Sequence, residues 1–276
     1  MIDALIIGSG EYVTGVAPDQ VAKSDKSFGV IALTLFDLRE KGHIDTIGIV
    51  GKNGARFPAI REHFTQNLGS AYPTLDTSFK SYPKDSKNNS QAYIEAISNL
   101  KKGSVVLIFT PDDTHFIIVK TALLAGMHVL VAKPLVKTTK EHLALKKISE
   151  EKGLLLMLEV HKRFDPIYMD AVDQIRNMGD FSHFNSYMSQ PKSQLDTFKA
   201  WAGISSDISY YLNAHHIDLL AWAVEDFAKP ISVYACGSTG VASKLLNREV
   251  EDTITLNVQW ENRSGSLGTS IHTASW

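Results

Sequence analysis

A chain of 276 residues, 44% hydrophobic and 21% charged, has the composition of a soluble globular protein and the length for two compact domains. A net charge of −2 without a basic run argues against nucleic acid or an anionic membrane surface as partner, and the lone Cys236 excludes a disulfide framework and a multi-cysteine metal site. No stretch of about 18 apolar residues offers a membrane span and the N-terminus lacks a signal-peptide pattern, so a cytoplasmic protein is expected.

The first predicted element is an apolar strand at residues 4–7 running directly into Gly8-Ser9-Gly10. Gly15 follows, giving G-x-G-x-x-x-x-G rather than the commoner G-x-G-x-x-G. Glycines here let backbone N–H groups approach a pyrophosphate; a plain strand-to-loop turn explains the pair equally well. The next helix is displaced to about residues 29–41, where Ile31, Leu35 and Leu38 share a face. Residues 16–28, with Lys23 and Lys26, read as an insertion rimming a cofactor cleft. A second strand at 46–50 ends in Gly51-Lys-Asn-Gly54, without the carboxylate that would bond an NAD ribose diol. Lys52 or Arg56 could instead pair with a 2′-phosphate, which points to NADPH with NADH also possible. The competing reading leaves Lys52 a solvated surface charge.

Helices are predicted at 57–68 and 93–100, a strand at 104–110, and a turn, Thr110-Pro-Asp-Asp-Thr-His115, that caps a helix at 116–124. The valine-rich run at 129–132 has no polar alternation, as expected of a parallel strand covered on both faces. Pro134 stops it, leaving Lys133 at the carboxyl edge where open α/β sheets bind ligands. A lysine there is either a solvated strand end or a working group. A helix at 138–152 and a sixth strand at 154–159 complete a doubly wound pattern.

After Pro166 the character changes: a helix at 167–178, a strand at 182–188, an irregular stretch at 189–209, a helix at 208–224, then strands at 231–235, 253–260 and 264–273. This predicts a second, α+β domain with an open antiparallel sheet. The chain stops at Trp276 directly after a strand pattern, so the end of that domain is expected to be missing.

Five landmarks now stand in order: the glycine loop, Thr110-Pro-Asp-Asp-Thr-His115, Ala132-Lys-Pro134, His161-Lys-Arg-Phe-Asp165 and His215-His-Ile-Asp-Leu219. Through them the chain resembles the glucose–fructose oxidoreductase/inositol dehydrogenase/MocA family over nearly its whole length. More narrowly, Ser186-Tyr-Met-Ser-Gln-Pro-Lys-Ser-Gln-Leu195 and Thr197-Phe-Lys-Ala-Trp-Ala-Gly203 resemble the fungal-type D-galacturonate reductases, which reduce D-galacturonate to L-galactonate with a nicotinamide cofactor.

The resemblance implies a Rossmann domain at 1–135 and an α+β substrate domain at 136–276, the last Rossmann strand (about 154–159) falling within the second range. It places Gly8, Gly10 and Gly15 at the pyrophosphate, Thr110, Pro111 and His115 along the nucleotide, His161 as a weaker cofactor or substrate contact, and Lys133 at the nicotinamide end. Lys133 is the family's catalytic lysine, although its preceding glutamate is Ala132 here. Counting back from Asp218 puts His215 at the family histidine and Tyr211 at the family aspartate. Reduction of an aldehyde needs a proton donor, and Lys133, Tyr211 and His215 are all able. A tyrosine at 211 would also spare a uronate the repulsion of a carboxylate.

An acidic sugar needs cationic anchors, for which Lys162, Arg163, Lys192 and Lys199 are candidates; for each, a solvated charge is the rival reading. Trp201 and Tyr210 could stack on a sugar ring or belong to the core. The first expectation is therefore an NAD(P)H-dependent uronate reductase, with a neutral sugar or inositol dehydrogenase and a non-catalytic nicotinamide-binding regulator as alternatives. The resemblance also implies a homodimer when full length, joined through the outer face of the second sheet. No metal is expected.

Overall fold

The computed structural model describes residues 1–17 and 26–276; Lys23 of the expected insertion lies outside them. The chain divides into two compact units, Met1–Thr110 with Thr114–Leu158, and Pro111–Asp113 with Glu159–Trp276.

The first unit is a six-stranded sheet in the order β3-β2-β1-β4-β5-β6, formed by β1 (Ile2–Ile7), β2 (Ile44–Val50), β3 (Lys80–Tyr82), β4 (Val105–Ile108), β5 (His128–Ala132) and β6 (Leu156–Glu159). β1 pairs in parallel with both β2 and β4, so the strand order reverses beside it. Burial explains the unbroken apolar runs. Ala4 and Ile6 join one core cluster with the helix Val30–Glu40, while Leu5 and Ile7 join another with the helix His115–Leu124. A strand covered on both faces needs no polar alternation. Each large apolar side chain buried in these clusters contributes about 2 kcal/mol.

Local chemistry sets the boundaries. Thr138 accepts from the Glu141 N–H at 3.3 Å and donates to the Glu141 carboxylate at 2.9 Å, a reciprocal cap on the helix Thr139–Lys152. Gly153 ends it in the left-handed conformation. Among the short elements that escaped the sequence pattern are the one-turn helix Glu11–Thr14, the edge strand β3, and the helices Leu195–Phe198 and Val241–Leu246. The helix Phe57–His63 continues through a π turn, Phe64–Leu68.

The second unit has four strands, β7 (His183–Ser189), β8 (Ala228–Thr239), β9 (Glu251–Asn262) and β10 (Leu267–Ser275), in the order β7-β10-β9-β8. The expected antiparallel sheet is in fact mixed, because β7 runs parallel to β10. β9 and β10 form a hairpin, whereas the helices and two strands between β7 and β10 permit the parallel crossover. One face buries Val258 and Trp260 of β9 with Ser270, His272 and Ala274 of β10; Val258 and Trp260 pack with Val172, Leu219 and Leu220 of the helices Pro166–Asn177 and Ala214–Val224. Beside them Phe198, Trp201, Tyr211 and Trp276 form an aromatic cluster. Among the described residues no helix is long and apolar enough to cross a membrane.

Candidate functional site

In the first unit the singled-out residues converge on the carboxyl edge of β1, β4 and β5. Gly8 adopts φ +124°, and a Cβ there would lie 2.1 Å from the Phe109 carbonyl oxygen, so only glycine allows the ends of β1 and β4 to approach so closely. Gly15 is equally constrained, with φ +75° and a notional Cβ 2.2 Å from Ser27 O. Gly10 differs: a Cβ would meet nothing within 4 Å, so the space above it is open. A turn closed beneath Gly8 and open above Gly10 fits a pyrophosphate approaching the backbone, the chemistry expected of the Gly8, Gly10 and Gly15 loop.

His115 is fully buried, and its ring joins two distant segments. Nδ1 lies 2.8 Å from Pro134 O and Nε2 lies 2.9 Å from Thr110 O. Its nitrogens face the backbone rather than a ligand, which makes it a brace: it fixes the end of β4 and the residue after Lys133 together. Thr110 Oγ1 also accepts from Thr114 Oγ1 at 2.7 Å. Lys133 is half-buried and its bond to Pro134 is cis, in place of the simple extended strand end expected from sequence. Lys52 is exposed; Arg56 donates through Nη2 to the carbonyls of Val16 and Ala17 at 3.0 and 3.2 Å, anchoring the segment after the glycine loop.

In the second unit the turn His161–Phe164 docks on the helix Ala214–Val224. The His161 and His215 rings meet edge to face with centroids 5.1 Å apart. Glu159 lies 2.9 Å from His161 Nδ1. Arg163 gives Nε and Nη2 to the two oxygens of Asp218 at 2.8 and 2.7 Å, and its guanidinium lies over Trp222. That hydrogen-bonded carboxylate raises the Arg163 pKa above the usual arginine value. The bidentate pair corrects the expectation for Arg163: its fork is committed to Asp218, which leaves it poorly placed to hold a substrate carboxylate. Sequence reasoning used Asp218 only to fix register and missed its partner 55 residues away.

Lys162 is likewise engaged, donating to Tyr168 Oη at 3.0 Å, while Tyr168 Oη lies 3.4 Å from His216 Nε2. Burial, reinforced by the Lys162 charge, pushes His216 below the ordinary histidine value. Lys192, in the turn Lys192–Gln194, and Lys199, after the helix Leu195–Phe198, are exposed. Trp201 sits in the aromatic cluster, 4.8 Å from Phe198 and 5.4 Å from Tyr211, so it is core rather than a sugar platform.

The helix expected at 208–224 is regular only from Ala214 onward. Ser209–Asn213 is a π turn in which the Ala214 N–H reaches Ser209 O, five residues back. Tyr211, four positions before His215, therefore lies inside a π turn and not in regular α-helix. Tyr211 points into the cluster, 4.8 Å from Phe198 and stacked at 6.5 Å on Trp276.

A parallel sheet that reverses its order beside a glycine turn is the arrangement of the Rossmann class, whose carboxyl edge at the reversal is where ligands bind. Residues 2–160 match the model of the oxidoreductase family with an NAD-binding Rossmann fold (GFO_IDH_MocA), and the chain belongs to that family. Among its relatives, the uncharacterized oxidoreductase YdgJ of Escherichia coli is 30% identical over 132 residues, 47% of this chain and 37% of that protein. The scyllo-inositol 2-dehydrogenase (NADP(+)) IolW of Bacillus subtilis is 27% identical over 129 residues, 45% of this chain and 36% of that one. The alignments thus span little more than a third of these relatives. In fold the chain resembles myo-inositol 2-dehydrogenase from Lactobacillus plantarum (TM-score 0.70, 18% identity, 99% of this chain and 70% of that chain). It also resembles scyllo-inositol dehydrogenase from Lactobacillus casei with bound NAD(H) and scyllo-inositol (TM-score 0.66, 17% identity, 99% and 69%).

Proposed function

We propose that the protein reduces the aldehyde of a hexuronic acid, D-galacturonate to L-galactonate, with NADPH as preferred cofactor and NADH as a second. The observation that carries the reading is the pairing, in one chain, of an edge lysine braced by His115 with exposed Lys192 and Lys199 in the galacturonate-type segment. Gly8, Gly10 and Gly15 would hold the pyrophosphate, Thr110 and Pro111 would flank the nucleotide, and Lys52 would pair with a 2′-phosphate. A bound dihydronicotinamide supplies hydride. Lys133 Nζ donates a hydrogen bond to the carbonyl oxygen and stabilises the charge that grows there. His215, backed by the His161 ring, orients the substrate hydroxyls, and Lys192 and Lys199 meet the sugar carboxylate.

A second reading, a neutral sugar or inositol dehydrogenase, is favoured by the commitment of Arg163 to Asp218 and by relatives named as inositol dehydrogenases. Nucleotide oxidation or reduction measured with galacturonate, glucuronate, glucose and the corresponding aldonates and inositols separates the two. Turnover confined to uronates supports the first reading and preference for neutral polyols replaces it with the second. Nucleotide binding without turnover of any sugar would leave a regulatory protein. A homodimer through the outer face of the second sheet, where Tyr187 and Tyr234 are exposed, belongs to the same proposal and is tested by sedimentation.

A further inference from the structure

The helix within the glycine loop is a single turn, Glu11–Thr14, and the next long helix begins only at Val30. One turn of helix carries too few hydrogen bonds to hold its own shape, because nucleation costs more than it returns. The geometry of the Gly8, Gly10 and Gly15 turn is therefore set by what packs around it. Thr14 is fully buried and closes the turn from within: its Oγ1 donates to Gly10 O at 3.1 Å and accepts from the Val16 N–H at 3.3 Å. Two further anchors come from the segment after β2, and both grip main-chain carbonyls close to Gly15.

Arg56 supplies one of them, through Nη2 to the carbonyls of Val16 and Ala17 at 3.0 and 3.2 Å. His63, buried at the end of the helix Phe57–His63, supplies the other: Nε2 lies 2.8 Å from Ser27 O and Nδ1 lies 2.7 Å from Asn67 Nδ2. A carbonyl oxygen only accepts, so Nε2 carries a hydrogen, and in the neutral ring Nδ1 then accepts from the Asn67 amide. The packing leaves no slack. A Cβ at Gly15 would lie 2.2 Å from Ser27 O and 2.8 Å from His63 Nε2, and one at Gly29 would lie 2.6 Å from the Thr14 carbonyl carbon. Ser27, Gly29 and His63 thus close on the back of the glycine turn without room for a methyl group.

We propose that Arg56 and His63 are positioning residues for the dinucleotide: they hold the pyrophosphate turn in its binding geometry and touch no part of the cofactor themselves. The inference rests on the reading of Gly8, Gly10 and Gly15 as the pyrophosphate loop. It gives Arg56, one of the two 2′-phosphate partners expected from the sequence, a different task. Loss of either anchor lowers the fraction of molecules whose turn is ready, and the apparent affinity falls by that same fraction. The pyrophosphate is common to both nucleotides, so NADPH and NADH weaken together. A side chain that paired with the 2′-phosphate would instead discriminate between them.

The test is a fluorescence titration of wild type, Arg56→Leu, His63→Leu and His63→Gln with NADPH and with NADH, well below the Tm of each protein. Arg56→Leu should raise both dissociation constants by about 5–30-fold, the worth of one or two hydrogen bonds, and leave their ratio unchanged within about twofold. His63→Leu should do the same. His63→Gln, whose amide N–H can stand where the Nε2–H does, should recover most of the affinity, a rescue that stability alone would not produce. Arg56 is only half-buried, so its variant decides the matter where His63→Leu does not fold. Wild-type affinity in Arg56→Leu, a loss confined to NADPH, or a His63→Gln no tighter than His63→Leu would overturn the assignment. A wild type that binds neither nucleotide removes the pyrophosphate reading and this inference together, whereas variants that bind as tightly as a binding wild type remove the inference alone.

Discussion

His272 offers the most quantitative check on the second unit. It is fully buried on the inner face of β10, with Nδ1 2.9 Å from Ser186 Oγ and Nε2 2.9 Å from Ser270 Oγ, which in turn accepts from Trp260 Nε1 at 2.9 Å. Burial, with a smaller contribution from the His216 charge, lowers its pKa from 6.5 to about 4. The unfolded chain binds the proton that the fold refuses. Stability from this residue is therefore fully present above the unfolded value and is lost as the pH falls toward 4. Linkage over that window gives a loss of about 2 kcal/mol between pH 7 and pH 5, rising to about 3 kcal/mol by pH 4. His216 is depressed in the same direction and steepens the slope. Urea denaturation of wild type and His272→Asn at pH 7, 6 and 5 isolates the term, because the other titrating groups cancel in the difference. The variant should be less stable at pH 7 yet lose about 2 kcal/mol less on going to pH 5. Parallel pH profiles for the two proteins would refute the buried neutral network.

Gly8→Ala places a methyl against the Phe109 carbonyl at a strained φ, so a loss of roughly 2–4 kcal/mol is expected together with nucleotide binding; an unchanged Tm would show that the turn tolerates a side chain. Asp218→Asn leaves Arg163 without its carboxylate and should cost about 1–2 kcal/mol, discounted for the partial exposure of the pair, as read from chemical denaturation. If substrate binding strengthens instead, Arg163 is an anchor held in reserve. Lys133→Ala should lower kcat by orders of magnitude while circular dichroism stays that of the wild type, and near-normal rates would remove the lysine from the mechanism. Lys52→Ala should weaken NADPH more than NADH in a fluorescence titration; equal weakening would falsify the 2′-phosphate assignment.

The inner strands β1, β2, β4 and β5 were legible because burial on both faces leaves an uninterrupted apolar run, a property of the local sequence alone. Helix Val30–Glu40 was placed within a residue at each end by the spacing of Ile31, Leu35 and Leu38, despite the unusual glycine spacing before it. The direction of β7 was not legible. Whether a strand pairs parallel or antiparallel depends on the path of the connecting chain, and nothing within residues 183–189 encodes it.

At the candidate site the sequence determined which residue types stand at which strand ends: glycines after β1, a lysine after β5, a histidine and aspartate three apart on one helix. Their partners were decided only by tertiary structure. Asp218 claims Arg163, His115 is held between Thr110 and Pro134, and Tyr211 is drawn into the aromatic cluster from within a π turn. Periodicity reports the face a residue occupies. It carries no information about a partner tens of residues away, or about one extra residue in a helical turn.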